Sequence, residues 1–244
     1  MERIKRSTSE YLLLLRSVPS LVMVLFVVSV VLMNLLANKE FATGVDWLAL
    51  DCGFALSWLS FLCMDMLTKR FGAKASIQLS LTAMAVNLFV CLVLYLVSLV
   101  PGNWGAYYTY NSEIVNQGLN STIGGSWYVV LGSACAFATS AVLNAVLNAV
   151  IGKMCKKDNF TTYALRSYIS TLIGQFADNL VFALMVSYVF FGWNMTQVIT
   201  CSVTGCLIEL VCEIIFSPIG YRVCKKWDAQ NVGSAYIDRE KETA

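Results

Sequence analysis

Six continuous apolar segments, each about as long as a lipid bilayer is thick, run through this sequence of 244 residues. About 20 residues in a helix span the ~30 Å hydrocarbon core, because each residue rises 1.5 Å. The chain is 58% hydrophobic and 13% charged, whereas soluble domains carry about 25% charged residues. The segments do not alternate between apolar and polar residues, which excludes a transmembrane β-barrel. We predict an all-α integral membrane protein, a six-transmembrane-helix bundle with spans at residues 18–37, 46–67, 77–100, 127–150, 165–191 and 197–216.

The distribution of positive charge predicts the orientation of this bundle. Of the 17 Lys and Arg residues, all but Lys39 fall in the N-terminal segment, in the second and fourth connections (with Arg166 at the edge of the fourth) or in the C-terminal segment. Because Lys and Arg are enriched in cytoplasmic loops, both termini are expected in the cytoplasm. We therefore predict a multi-pass protein of the plasma (inner) membrane. Residues 1–222 form a single transmembrane domain, and residues 223–244 form a polar cytoplasmic tail that is expected to be disordered.

The fifth span carries polar groups that are costly in a membrane. Asp178 falls near its middle, where a carboxylate costs about 2.5–3.5 kcal/mol on insertion scales, and is flanked by Gln175 and Asn179. Such a group must face a protein interior or a water-filled cavity, so the cluster is a candidate binding site. The alternative is that these side chains only join helices by hydrogen bonds. The run RSYISTLIGQFADNLVF at residues 166–182 places four of its residues on one helical face: Arg166, Ser170, Gly174 and Asp178.

Polar and aromatic residues in other spans extend this candidate site. Asn34 lies in the first span, and the sixth span carries Glu209 and Glu213 one helical turn apart. Two carboxylates at this spacing repel each other when both are ionised, so they must be paired, protonated or near water. The second span ends with four residues on one face: Trp58, Phe61, Asp65 and Lys69.

Four segments resemble the signature motifs of one transporter family. The run at residues 166–182 is similar to R-x-x-x-S-T-L-x-G-Q-x-x-D-T-x-x-F, and MDMLTKRFGAKA at 64–75 resembles D-x-x-T-E-x-Y-G. MNLLANK at 33–39 resembles N-x-x-x-N-K, and ELVCEIIFSPIGY at 209–221 resembles K-x-x-x-E-x-x-x-x-P-x-x-Y. These motifs are those of the queuosine precursor transporter family, also called the vitamin uptake transporter family. The resemblance implies a six-helix inner-membrane importer of 7-deazapurine precursors of a tRNA nucleoside, such as preQ0, preQ1 or queuine.

Two positions depart from the family pattern with opposite changes of charge. Lys69 stands where the family usually has Glu, and Glu209 stands where it usually has Lys. The reciprocal change suggests that Lys69 and Glu209 form an ion pair between the second and sixth helices. The alternative is that the site has diverged toward another substrate.

A deazaguanine edge presents N–H donors beside a carbonyl acceptor, which a carboxylate and an amide can recognise together. Aromatic side chains can stack on the planar ring, a contact worth about 1–3 kcal/mol in nucleic-acid binders. The candidate substrate-binding residues are Asn34, Trp58, Phe61, Asp65, Gln175, Asp178, Asn179, Phe182 and Glu213.

The sequence favours transport over catalysis. The chain contains no histidine, so Ser–His and Cys–His catalytic pairs are impossible and the commonest transition-metal ligand is missing. We expect no enzyme activity, no cofactor and no metal site. The expected partners are a small 7-deazapurine and the bilayer, with no nucleic acid. A substrate-binding subunit of a multi-component importer is the alternative; because no nucleotide-binding P-loop is present, ATP-driven uptake would require separate energising subunits. Whether the chain forms a homo-oligomer stays open.

Overall fold

The computed structural model describes residues 2–105, 113–125, 127–154 and 159–243. Within these ranges the chain is helical, and an isolated backbone bridge pairs Glu40 with Asp51. The helices are α1 (Glu2–Ser17), α2 (Ser20–Leu36), α3 (Phe54–Phe71), α4 (Ala73–Ser98), α5 (Glu113–Ile123), α6 (Trp127–Met154), α7 (Phe160–Phe182), α8 (Tyr188–Phe190), α9 (Met195–Ala229) and α10 (Ser234–Thr243), with a π-helical segment, Ala183–Ser187, between α7 and α8.

Several of these helices are suited to crossing a membrane. Four segments of the described chain are long and apolar enough to do so, and a bent pair made of α1 and α2 raises the number to five. The all-helical membrane architecture predicted from the sequence is therefore present, with four to five candidate spans. Helix α3 is not among them, because its 18 residues include the three charged residues Asp65, Lys69 and Arg70.

The first two helices are separated by a sharp bend. Helices α1 and α2 are inclined by 102° to each other, and Pro19 lies immediately before the first residue of α2. Proline lacks the backbone N–H that a continuous helix needs at this point, which explains the break. The first span is thus limited to the 17 residues of α2, a length at the short end of the range for a transmembrane helix.

Helix α3 lies inside the bundle. It packs against α2, α4, α6, α7 and α9, and an unbroken row of its residues from Ser60 to Thr68 is buried. The small residue Gly174 of α7 allows a close approach here, because a Cβ atom at this position would lie 3.0 Å from the ring of Phe61. Asp65 is consequently shielded from the surroundings of the bundle, whereas Lys69 and Arg70 are half-buried at the end of α3.

Contacts between loops show which helix ends lie on the same side of the bundle. Gln197 Nε2 donates to the backbone oxygen of Asp46 at 2.9 Å, and Thr200 Oγ1 donates to that of Trp47 at 2.7 Å. Trp193 Nε1 donates to the carboxylate of Glu40. The connection 37–53 therefore lies beside the start of α9. We call this the loop side, and the opposite side, which holds the turn between α3 and α4 and the C-terminal helix, the basic side.

The second predicted span begins later than the sequence suggested. Residues 46–53 precede the helix instead of forming its first two turns, and α3 begins at Phe54. The reason is the side chain of Asp51, whose Oδ1 accepts a hydrogen bond from the backbone N–H of Gly53 at 2.7 Å. Such aspartate turns compete with helix formation and place the helix start after them.

The C-terminal segment is helical, whereas the sequence analysis predicts disorder for residues 223–244. Helix α9 continues to Ala229, and α10 folds back toward α1. The missed signal is aromatic, because Trp227 and Tyr236 are buried against Phe71 at the basic end of α3. Arg70 adds a salt bridge of 2.9 Å to Asp228. These contacts offset the entropy cost of ordering a polar segment.

The orientation of the bundle can be tested by labelling with a thiol reagent that does not cross membranes. In a chain whose native cysteines are replaced, Ala42→Cys on the loop side should be labelled in intact cells, because Ala42 is exposed. Ser234→Cys in the exposed first turn of α10 should be labelled only after permeabilisation. The reverse pattern would show that the termini face outward.

Candidate functional site

A polar cavity opens at the loop side between α2, α3, α6, α7 and α9. Its cavity volume is about 30 Å³, enough for about two water molecules and well below the range of about 300–1,000 Å³ typical of small-molecule sites. A ligand of purine size therefore requires the lining helices to move apart. Three carboxylates and no lysine or arginine line it, so we call it the acidic pocket. Its lining residues are Met33, Asn34, Ala37, Asp51, Gly53, Phe54, Ser57, Ser133, Asp178, Asn179, Phe182 and Glu209.

Glu209 of α9 forms the floor of the acidic pocket and is held by donors from two other helices. The hydroxyl of Ser57 donates to Glu209 Oε1, and Asn179 Nδ2 donates to Oε2 at 3.2 Å. With its amide nitrogen turned toward α9, Gln175 donates to Glu209 Oε1 at 2.8 Å. A buried carboxylate is stable only when its lone pairs are satisfied in this way. The predicted residues Gln175 and Asn179 are therefore brought together around Glu209.

Asp178 lies across the pocket from α9 and is partly exposed to it. Its Oδ1 accepts a hydrogen bond of 2.8 Å from Ser140 of α6. About one helical turn beyond Asp178, the helix changes from α to π over Ala183–Ser187. Single π turns inside helices are frequent at functional sites, because the extra residue re-aims the side chains on either side. Here the π segment follows Phe182, which lines the pocket.

Asn34 at the end of α2 presents an unused hydrogen-bond donor. Its Oδ1 accepts a hydrogen bond from Ser133 of α6, which fixes the orientation of the amide. Its Nδ2 is buried and has no partner, and the residue lines the acidic pocket. Leaving a buried donor unpaired costs about 1–3 kcal/mol. A pocket that keeps such a donor is suited to a ligand with an acceptor atom.

A second polar cluster lies deeper, toward the basic side, and centres on Asp65. Asn144 and Asn148 of α6 donate to Asp65 Oδ1 at 3.0 and 2.7 Å. On α7, Ser167 contacts Oδ2, and Thr171 donates to the same oxygen at 3.2 Å. The carboxylate of Asp65 thus has four donors around it.

Glu213 of α9 completes this second cluster. Its Oε1 lies 2.6 Å from the hydroxyl of Ser167, whereas its Oε2 is buried without a partner. We call the group formed by Asp65, Ser167 and Glu213 the inner carboxyl cluster. It lies one helical turn beyond Glu209 along α9, about 6 Å at 1.5 Å per residue.

The predicted aromatic residues are not all in the pocket. Phe182 lines it, but Phe61 is fully buried between helices. Trp58 stacks on Phe216 of α9 with ring centroids 4.4 Å apart, away from the pocket. The spacing of Trp58, Phe61 and Asp65 predicted that the three residues share one face of α3. Several neighbouring helices pack around α3, so the three side chains have different surroundings.

The predicted ion pair between Lys69 and Glu209 is not formed among the described residues. The ammonium group of Lys69 lies 5.9 Å from the ring centroid of Tyr163, near the basic side. The carboxylate of Glu209 is instead bonded by Ser57 and Asn179. The two groups lie at different depths in the bundle, and the stem of lysine does not bridge that difference.

Several residues of both clusters were missed by sequence reasoning. Asp51 was counted inside an apolar span, and serine is too common in membrane helices to mark a site by itself. The asparagines of α6 carry no sequence signal of a partner, because their partner depends on which helix they face. The residues added by the structure are Asp51, Phe54, Ser57 and Ser133 in the acidic pocket, and Asn144, Asn148, Ser167 and Thr171 around Asp65.

Comparison with known proteins places this architecture in a class of membrane carriers. Residues 51–223 match the family described as "Putative vitamin uptake transporter". The matched range includes α3 to most of α9, and hence most of both clusters. The chain belongs to the vitamin uptake transporter family, which confirms the family predicted from the sequence motifs. No curated protein and no solved structure matches the chain.

The four donors around Asp65 predict a large loss of stability when its charge is removed. Asp65→Asn replaces an acceptor oxygen with an NH₂ group that faces donors, which costs about 1–3 kcal/mol for each buried group left unsatisfied. The melting temperature of the purified protein in detergent should fall clearly. Asp46→Asn, at an exposed loop position, is the matched control and should leave it unchanged.

Proposed function

We propose that this protein imports a 7-deazapurine precursor of queuosine across the plasma membrane and binds it in the acidic pocket. Membership of the vitamin uptake transporter family supports uptake of a small organic solute. The observation that carries the choice of ligand is the pairing of carboxylate acceptors with one unused amide donor in the same pocket.

The arrangement matches the hydrogen-bonding edge of a deazaguanine ring. That edge has N–H groups that donate and, beside them, a carbonyl oxygen that accepts. Glu209 and Asp178 supply acceptors, and the unpartnered Nδ2 of Asn34 supplies the donor for the carbonyl oxygen. Phe182 offers an aromatic face for the ring. Hydrogen bonds to charged groups are worth about 1.5–3 kcal/mol, enough to set the orientation of a small ligand.

The charge of the pocket favours a ligand that also carries a positive group. Asp51, Asp178 and Glu209 contribute three carboxylates, and the lining includes no cation. An aminomethyl deazapurine such as preQ1 would bring a neutralising ammonium group into this pocket. The uncharged nitrile of preQ0 would not, so the amine-bearing compound is the preferred substrate.

The direction of transport follows from the proposed topology. We place α3 across the membrane as the sixth span, shielded from lipid by the helices around it. With both termini cytoplasmic, the loop side faces outward and the acidic pocket receives ligand from outside the cell. Uptake by cells that express this chain without other importer components would distinguish a self-sufficient carrier from a subunit of a larger importer.

Ligand binding to the purified protein tests the proposal directly. We expect preQ1 to bind at least about tenfold more tightly than preQ0 or guanine, equivalent to about 1.4 kcal/mol. Glu209→Gln should weaken preQ1 binding by a similar factor because an acceptor is lost. Glu113→Gln, at an exposed position in α5, is the matched control. Tightest binding of an ordinary nucleobase would contradict the assignment.

Asn34 provides a separate test of how the carbonyl group is recognised. Asn34→Asp keeps the acceptor for Ser133 but removes the Nδ2 donor. Wild-type protein should prefer a 7-deazaguanine to the corresponding 7-deazaadenine, which lacks the carbonyl oxygen. The variant should lose most of that preference, as measured by competition binding, and unchanged discrimination would remove Asn34 from the ligand site.

A further inference from the structure

The inner carboxyl cluster contains more acceptor oxygens than the hydroxyl of Ser167 can donate to. The hydroxyl of Ser167 contacts Asp65 Oδ2 and lies 2.6 Å from Glu213 Oε1. A serine hydroxyl has one hydrogen and can donate to only one of these oxygens. The second contact joins two oxygen atoms at hydrogen-bonding distance, so it requires a hydrogen supplied by the carboxyl group itself.

The surroundings of the two carboxyl groups show which one carries that hydrogen. Asp65 is surrounded by the amides of Asn144 and Asn148 and the hydroxyl of Thr171 in addition to Ser167. Four donors match the lone pairs of an ionised carboxylate. The hydrogen of Ser167 therefore goes to Asp65.

Glu213 has the opposite environment. Its side chain is fully buried, and its second oxygen, Oε2, has no donor. A carboxylate here would leave half of its charge without a hydrogen bond in the interior of the bundle, which is strongly unfavourable. A neutral carboxyl group donates from one oxygen to Ser167 and leaves only a carbonyl oxygen unpaired. The geometry thus favours a protonated Glu213 beside an ionised Asp65.

We propose that Glu213 is a proton-binding site of this transporter and that the proton it carries is the coupling ion for uptake. This inference rests on the proposed function, because it names the driving ion for the same substrate. Glu213 lies one helical turn from Glu209, which lines the acidic pocket. In the proposed cycle, a proton on Glu213 keeps one of these two carboxyl groups neutral, so that Glu209 stays ionised for the ligand.

A metal ion fits this cluster less well than a proton does. The lone pairs of Asp65 are taken up by protein donors, and a cation would have to displace them. In the part of the chain that the structure describes, no three His, Cys, Asp or Glu side chains are grouped to hold a metal ion. A proton needs only the one oxygen of Glu213 that faces Ser167.

The titratable and charged groups around this site come from three helices. They are Cys63, Asp65 and Lys69 on α3, Tyr163 and Arg166 on α7, and Glu209 and Cys224 on α9; α6 contributes the neutral amides of Asn144 and Asn148.

Infrared spectroscopy of the purified protein tests proton binding without any substrate. At neutral pH, the wild-type protein should show the carbonyl stretching band of a neutral carboxyl group, and Glu213→Gln should remove it. The variant should fold, because the glutamine amide can donate to Ser167 as the protonated acid does. Glu113→Gln should leave the band in place. An unchanged band in the Glu213 variant would overturn the proposal.

Uptake into proteoliposomes tests whether the proton drives transport. With an inward proton gradient, wild-type protein should accumulate labelled preQ1 above its external concentration, and a protonophore should abolish the accumulation. Glu213→Gln should bind preQ1 within about threefold of wild type but should not accumulate it. Accumulation that depends on sodium and ignores the proton gradient would overturn the proposal. Failure of wild-type protein to bind preQ1 at all would instead refute the proposed function.

Discussion

The placement of three buried carboxyl groups and a fourth, half-buried one inside a membrane-embedded helix bundle is the constraint on which the rest of this structure depends. Asp65, Asp178, Glu209 and Glu213 lie among helices that face lipid on their outer sides, and none of them forms a salt bridge within the described residues. A charge in that position needs donors or a proton. The helices around them therefore carry serine, threonine and asparagine on their inner faces, although these residues add nothing to apolar packing.

The donors divide the carboxyl groups into two levels. Nearer the loop side, Glu209 and Asp178 receive hydrogen bonds but keep a surface toward the acidic pocket. Nearer the basic side, Asp65 is enclosed by its donors. Helix α9 contributes one glutamate to each level because Glu209 and Glu213 are four residues apart. The spacing of one helical turn connects a ligand pocket to an enclosed ionisable group.

Much of the fold could be predicted because a helix that crosses a bilayer needs about 20 consecutive apolar residues. Such a segment can be recognised in the sequence without knowing how the helices pack. The helices that replace predicted spans 77–100 and 127–150 begin within four residues of their predicted starts, at Ala73 and Trp127. Predictions failed where tertiary contacts decide, as in the C-terminal segment, where Trp227 and Tyr236 are buried against Phe71. Asp178 and Asn34 were identified as site candidates by their position in apolar spans. Partners such as Ser57 and Ser133 were not, because their role depends on which helix faces which.

The spacing of one helical turn between Glu209 and Glu213 is the basis for proposing that their ionisation is coupled. Two carboxylates one turn apart in an apolar interior repel far more strongly than at a surface, since screening by water is weak. In the proposed cycle, a proton on Glu213 favours the charged form of Glu209, and a cationic ligand on Glu209 offsets the repulsion when that proton leaves. Coupling between two sites is reciprocal, so ligand in the acidic pocket must change the proton affinity of Glu213 as much as the proton changes ligand affinity. A carrier needs this property to link solute movement to an ion gradient, and here it requires only two side chains on one helix.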